Sequence, residues 1–169
     1  SQTTVFRKNL RSLACRQLPF DLCVLPRQHT IGLALVDACP DTRFVLDHCG
    51  IPDLSDPARF PAWHRSIRQF AMRPQVSVKL SGMVASSPVK PATLDQVRPY
   101  LDASLEAFGA GRCVWGSDWP VCTLTTGLGE WIALFREWLG GLSETEQARV
   151  AHRNAEAIYR LAPLPVGTA

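Results

Sequence analysis

Four short apolar segments alternate with amphipathic helical segments along nearly the whole chain, and this alternation constrains the fold more than any other feature. Strands are predicted at residues 20–24, 43–48, 76–80 and 112–115. Apolar stripes at helical spacing predict helices at 3–16, 28–38, 60–71, 93–108, 128–139 and 154–161. Pro99 is expected to divide the segment 93–108 into a first turn and a main helix that begins at Pro99. The capping box of Ser143 and Glu146 predicts the start of a further helix. Strict alternation of strand and helix is typical of a parallel sheet covered by helices, so we predict an α/β fold.

The number of strand–helix units limits which α/β architectures are possible. With 169 residues the chain is long enough for one domain, predicted at 1–161 and followed by a disordered tail at 162–169. A (β/α)₈ barrel of the TIM type needs eight strands and about 250 residues, so four units correspond to half of one. A small doubly wound binding domain is the alternative, and it would need a crevice where the strand order reverses.

Charge, hydropathy and cysteine content limit the expected partners and the expected location of the protein. Lys and Arg outnumber Asp and Glu by 18 to 15, and the net charge of +3 contains no dense basic run. We therefore expect no nucleic-acid partner and no anionic membrane partner. No apolar stretch approaches the roughly 18 residues of a membrane span. The six cysteines include no CxxC pair, which predicts buried, reduced thiols in a cytoplasmic protein.

Polar residues stand at the ends of the predicted strands, where functional groups gather in parallel sheets. His48 ends the second strand, Lys79 lies near the end of the third, and Asp118 follows the fourth. One orientation of the sheet directs these three side chains toward a common cavity. Strand alternation then puts His48 on the face of Leu46, with Asp47 on the opposite face. An imidazole, a cation and a carboxylate together suit activation of water for attack on a carbonyl group.

Each of these residues also has a purely structural interpretation. Asp118 can cap the helix that follows it. His48 can hydrogen-bond a loop carbonyl at the strand end. Lys79 can form a salt bridge with Asp47 or Asp53, since a buried ammonium group needs a partner.

For Arg27, Trp119 and the remaining histidines the sequence is less informative about function. Arg27 follows the first strand and is either a cation at the mouth of a site or an exposed loop residue. Trp119 precedes a proline, and its alternative role is that of a packing lid. We interpret His29, His64 and His152 as surface or packing residues, because they lie in or beside helical segments.

Three segments, at residues 44–52, 78–82 and 114–121, together resemble consecutive motifs of the amidohydrolase-related proteins. These are metal-dependent hydrolases of TIM-barrel fold that include sugar lactonases and muconolactone-type hydrolases. The ending at 152–161 resembles the closing helix of that family, which packs under the barrel. The resemblance is collinear from about residue 5 to residue 161.

The resemblance implies a (β/α)₈ barrel in which the four strands are the fifth to the eighth. It implies that Asp118 is the general base for a hydrolytic water and that His48 binds substrate or metal. Lys79, Arg27 and Trp119 are then the candidate substrate-binding residues. Family members carry a His-x-His pair on the first strand, which this sequence lacks. His48 and Asp118 alone are fewer than the three protein ligands of a catalytic zinc site, so a single divalent, zinc-like metal is left open.

We therefore expect a hydrolase that acts on a lactone or a related carboxylated ester. The alternative is an inactive, truncated half-barrel or an assembly module that needs a partner chain, and a start without Met favours truncation. The partners expected are a small-molecule substrate and either a second copy of the chain or a missing N-terminal half. The first and last strands would be exposed edges, with Phe44, Leu46 and Val114 facing inward.

Overall fold

The computed structural model describes residues 2–161 and confirms the predicted alternation of strands and helices. The strands are β1 (Phe20–Leu22), β2 (Phe44–Leu46), β3 (Val76–Leu80) and β4 (Cys113–Trp115). They form one parallel sheet in the order β1-β2-β3-β4. The strand order does not reverse, so the sheet has no switch-point crevice and the alternative of a doubly wound domain is wrong.

Helices follow the strands in the predicted places. They are α1 (Thr4–Cys15), α2 (His29–Ala38), α3 (Phe60–Ala71), α4 (Leu94–Phe108), α5 (Leu128–Leu139), α6 (Glu144–Ala148) and α7 (Asn154–Tyr159). A five-residue π-helical segment, Arg149–Arg153, joins α6 to α7. The predicted disordered tail lies outside the described residues, and the domain boundary at residue 161 stays a prediction.

The start of α4 differs from the sequence-based expectation. Pro99 was expected to divide this segment, with the main helix beginning there, because proline removes a backbone N–H from the helix interior. Instead α4 begins at Leu94, and Pro99 lies inside it. Gln96 and Thr93 form a capping box at its first turn, which fixes the start of the helix ahead of the proline.

The two faces of the sheet have different surroundings. Phe44 and Leu46 belong to the core between the sheet and the helices. Edge-to-face aromatic pairs connect Phe6 of α1 to Phe20 and Phe20 to Phe44. The expectation that Phe44 and Leu46 face inward is therefore wrong, because helices α1 to α5 pack on the face to which these residues point.

The opposite face is where the interior of a barrel would be. Strand pairing places Asp21 beside Val45 and Val45 beside Ser77, while Lys79 pairs with Val114. Because side chains alternate along a strand, these residues point away from the helical core. This face carries charge at Asp21 and Lys79, and β1 and β4 lie at the predicted edges of the sheet.

The cysteines are free thiols, as predicted, although Cys15 and Cys23 are exposed rather than buried. Complete burial raises the pKa of Cys49 to about 12, so that thiol stays protonated at neutral pH. Within residues 2–161, no helix combines the length and the apolar composition needed to cross a bilayer.

Candidate active site

A left-handed turn after β2 determines where His48 points. Residues 48–51 form this turn, with φ angles of 54° at His48, 51° at Cys49, 68° at Gly50 and 53° at Ile51. Strand alternation would send His48 into the helical core beside Leu46. Alternation stops at the end of β2, however, and the positive φ turns the imidazole toward the ends of the neighbouring strands.

The next strand supplies the surface on which the His48 ring rests. His48 Nδ1 is hydrogen-bonded to the hydroxyl of Ser81, which is buried, at 2.9 Å. A Cβ atom at Gly82 would lie 2.6 Å from both Cγ and Nδ1 of His48, and the φ of Gly82 is +74°. Only glycine meets both conditions at this position, so the motif residues Ser81 and Gly82 fix the ring from one side.

His48 and Asp118 come together at the carboxyl ends of the strands. The distance from His48 Nε2 to Asp118 Oδ1 is 3.9 Å, with 27% of the His48 side chain and 14% of the Asp118 side chain exposed. Both line a cavity of about 280 Å³ that also includes Ile51, Pro52 and Val121. Because the separation is too long for a direct hydrogen bond, both groups can contact a third atom in the cavity.

Asp118 is not a helix cap. Its own φ is 56°, and the short helix Val121–Leu124 that follows has no side-chain cap. In the part of the chain that the structure describes, no backbone N–H donates to the Asp118 carboxylate; the hydrogen bond from the N–H of Cys122 goes to the backbone oxygen of Asp118. The carboxylate is therefore left available to the cavity.

Lys79 is held by two carboxylates on the face of the sheet opposite the helical core. Its Nζ lies 3.0 Å from Asp21 Oδ2 and 2.6 Å from Asp47 Oδ1. Burial alone would lower the pKa of Lys79, but hydrogen bonds to Asp47 and Asp21 outweigh it and raise the pKa. Tyr159 of α7 completes the network by donating to Asp21 Oδ1 at 2.7 Å. The predicted partner Asp47 is thus confirmed, whereas Asp53 pairs with Arg59 instead.

Asp47 lies on the same side as His48, so the expectation that it occupies the opposite face is wrong. The left-handed φ at His48 is the physical reason, because it rotates the imidazole back toward the side on which Asp47 already points. Ligating atoms of Cys23, Asp47 and His48 all lie within 4.8 Å of one another. Sequence reasoning missed Cys23 and Asp47 because strand alternation separated them from His48; the only signal was their position at neighbouring strand ends.

Arg27 and Trp119 lie at the periphery. Arg27 lines a separate cavity of about 450 Å³, which shares Ile51 and Pro52 with the cavity of His48 and Asp118. Trp119 is 64% exposed, so its alternative role as a packing lid is wrong. Lys79 is not among the residues that line either cavity. Contact of these three residues with a substrate stays a prediction.

One family model matches nearly the whole of the described chain. The family model described as amidohydrolase matches residues 2–161. The chain belongs to the amidohydrolase family. Its four βα units have the fold of amidohydrolase TIM barrels: an amidohydrolase from Burkholderia multivorans, solved with bound zinc, superimposes with a TM-score of 0.90 at 30% identity. That alignment covers 95% of this chain and 58% of the other.

Two curated relatives of this amidohydrolase chain are lactonases. An L-fucono-1,5-lactonase from Burkholderia ambifaria is 34% identical over 161 residues, which cover 93% of this chain and 55% of the relative. An L-fucono-1,5-lactonase from Burkholderia multivorans is 31% identical, with 92% of this chain and 56% of the relative covered. The chain therefore spans a little more than half the length of these relatives.

The donor atoms of this amidohydrolase chain fit a divalent metal. Cys23 offers a sulfur, His48 a ring nitrogen and Asp47 a carboxylate oxygen, a mixture that zinc accepts. Burial raises the pKa of Cys23, and the nearby charges of Asp47 and Asp118 raise it further. Ligation by Cys23 would therefore release a proton, so the affinity for metal should increase with pH.

Proposed function

We propose that this chain carries the hydrolytic residues of an amidohydrolase-type lactonase. The observation that carries the proposal is the convergence of His48 and Asp118, 3.9 Å apart, in a cavity at the carboxyl ends of the parallel strands. Two L-fucono-1,5-lactonase relatives support a sugar lactone as the substrate. They also make the inactive half-barrel the less favoured alternative.

In the proposed reaction Asp118 acts as the general base. Its carboxylate accepts a proton from a water molecule as the water oxygen attacks the lactone carbonyl carbon. The ring C–O bond then breaks, and the leaving alkoxide takes up a proton to give the open hydroxy acid. His48 binds the substrate or the metal, and Ser81 keeps its ring in place through the hydrogen bond to Nδ1.

A divalent metal held by Cys23, Asp47 and His48 would supply a Lewis acid for the lactone carbonyl. Lys79 keeps Asp47 in position through the 2.6 Å ion pair. Arg27 and Trp119, at the rim, are placed to contact the polar or anionic parts of a substrate that extends beyond the cavity of His48 and Asp118. Lys79 is the third candidate for such a contact.

The test is hydrolysis of a panel of sugar lactones that includes L-fucono-1,5-lactone, measured as acid release. It is run with the chain alone and with the chain fused to the N-terminal half of the Burkholderia ambifaria relative, each with and without a chelator. Hydrolysis by either form supports the proposal, and its loss on chelation supports the metal. Well-folded chain and fusion that hydrolyse no lactone would contradict the proposed function.

We propose further that the edges of the sheet bind a partner, above all at β1, because Asn154 already donates a hydrogen bond to the backbone oxygen of Cys113 in β4. The edge strands β1 and β4 carry no lysine that would deter pairing, and an apolar cavity of about 640 Å³ lies beside β1. We expect the 169-residue chain, expressed alone, to dimerise, to bind a missing half-barrel, or to aggregate. Sedimentation velocity over a range of concentrations measures this, and a monodisperse, cooperatively folded monomer would contradict it.

A further inference from the structure

The left-handed turn that directs His48 is held by two buried side chains outside the site. It contains four successive residues with positive φ, and three of them (His48, Cys49 and Ile51) are not glycine. Residues other than glycine avoid this region of backbone space, and a run of them does not persist unless the surrounding structure imposes it. Contacts from neighbouring elements must therefore hold the turn.

Two helices each contribute one hydrogen-bond donor to the turn. Trp63 of α3 donates its Nε1–H to the backbone oxygen of Cys49 at 2.8 Å. His29, the first residue of α2, lies with Nε2 at 2.8 Å from the backbone oxygen of Gly50. Trp63 is 3% exposed and His29 is 2% exposed, so both bonds are shielded from water. These two side chains are called the turn clamp below.

The chemistry of His29 fits a donor role. A carbonyl oxygen only accepts hydrogen bonds, so Nε2 of His29 must carry the proton. Burial lowers the pKa of His29, which keeps the ring neutral, and Nδ1 is buried without a partner among the described residues. The contact is also close, because a Cβ at Gly50 would lie only 2.9 Å from His29 Nε2.

We propose that the turn clamp of His29 and Trp63 positions His48 for the reaction by holding the left-handed turn against the helices. Without both donors the turn can relax toward extended backbone, and strand alternation then carries the His48 ring away from Ser81 and Asp118. The inference rests on the proposed function for the role of His48, but the orientation of that ring can be measured independently of activity. Neither His29 nor Trp63 lines the cavity of His48 and Asp118, so they act through His48 and are positioning residues.

The test compares variants that remove a donor with variants that keep it. Trp63→Phe and His29→Phe keep an aromatic ring but remove the N–H, whereas His29→Gln retains a donor. Trp138→Phe is the matched control, because Trp138 is also 3% exposed and donates its Nε1–H to Asp102 Oδ1 at 2.7 Å, in another part of the fold. Nitrogen-detected NMR of the imidazole rings follows His48 in the chain itself, and with four histidines its signals can be assigned by one further variant, His48→Gln.

We expect Trp63→Phe and His29→Phe to shift the His48 ring signals and to abolish its NOE to Gly82. In the form that hydrolyses lactones, kcat/KM should fall at least about tenfold, because the ring that binds the substrate or the metal is misplaced. His29→Gln and Trp138→Phe should leave the ring signals, the NOE and kcat/KM near those of the unchanged protein.

Unchanged His48 signals in folded Trp63→Phe and His29→Phe would overturn the proposal, as would equal changes in Trp138→Phe. If His29→Phe does not fold, the His48 ring signals of Trp63→Phe alone test the proposal. Failure of both to fold while Trp138→Phe folds would assign the clamp to stability and overturn the positioning role. If the unchanged protein hydrolyses no lactone, the proposed function fails, and the NMR comparison still decides whether the clamp positions His48.

Discussion

Asp118→Asn is expected to lower kcat at least about 100-fold, which is the scale of a general-base contribution. The amide removes the proton acceptor but keeps the shape of the side chain. Asn also tolerates the left-handed backbone that the φ of 56° imposes at this position, so the free energy of unfolding should hardly change. Steady-state kinetics on the most reactive lactone and chemical denaturation measure the two quantities.

Asp95→Asn is the matched control, since Asp95 is an exposed carboxylate in the first turn of α4. It should keep both kcat and stability. An Asp118→Asn protein that folds normally and keeps full activity would show that Asp118 is only a turn residue, and the general base would then have to be sought among the other residues of the cavity.

Lys79→Met should give the largest loss of stability among single changes at the site. It leaves the carboxylates of Asp21 and Asp47 on one face of the sheet without their shared cation. An exposed ion pair contributes about 1 kcal/mol at most, and breaking a fully buried pair costs about 3–5 kcal/mol. With 21% of the Lys79 side chain exposed, we expect a loss between these limits. Denaturant unfolding at neutral pH measures it.

The pH dependence gives the same prediction a second test. The pKa of Lys79 is raised above its ordinary 10.5, so its contribution is fully present below that pH and is lost as the pH rises through the folded value. The difference in the free energy of unfolding between the unchanged protein and Lys79→Met should therefore be constant near pH 7–9 and shrink above about 10.5.

Two further variants test whether the loss of charge pairing causes the lower stability of Lys79→Met. The double variant Lys79→Met/Asp47→Asn should recover part of the loss, because it removes one of the unpaired charges. Lys8→Met, at an exposed position of α1, should change stability by less than about 0.5 kcal/mol. Equal losses of stability in Lys79→Met and Lys8→Met would contradict the claim that the ion pairs of Lys79 stabilise the fold.

The regular parts of the fold could be predicted from sequence because their signals are local. The alternation at 76–80 gave β3 with its observed bounds, and the capping box of Ser143 and Glu146 starts α6 as expected. The convergence of His48 and Asp118 could also be anticipated, since both follow parallel strands. Their roles in catalysis stay predictions.

The remainder of the site depends on features that no residue pattern displays. The sequence around His48 does not indicate that four successive residues adopt positive φ there. This turn places His48 and Asp47 on the same side, whereas strand alternation predicts opposite faces. The Lys79 network likewise joins residues from two strands, the segment that follows a third strand, and a distant helix. Propensity and periodicity describe a segment and its neighbours, whereas these contacts depend on where separate segments meet.

The hydrogen bond from Tyr159 to Asp21 also has a consequence for the order of folding. It joins residues 138 positions apart, whereas each pair of adjacent strands is joined by a much shorter stretch of chain. Closing a long loop costs more entropy than closing a short one, so strand pairing can precede the docking of α7. The contact that completes the charge network would then form after the strands have paired, and Lys79 and its two carboxylates stay uncovered until α7 has been synthesised.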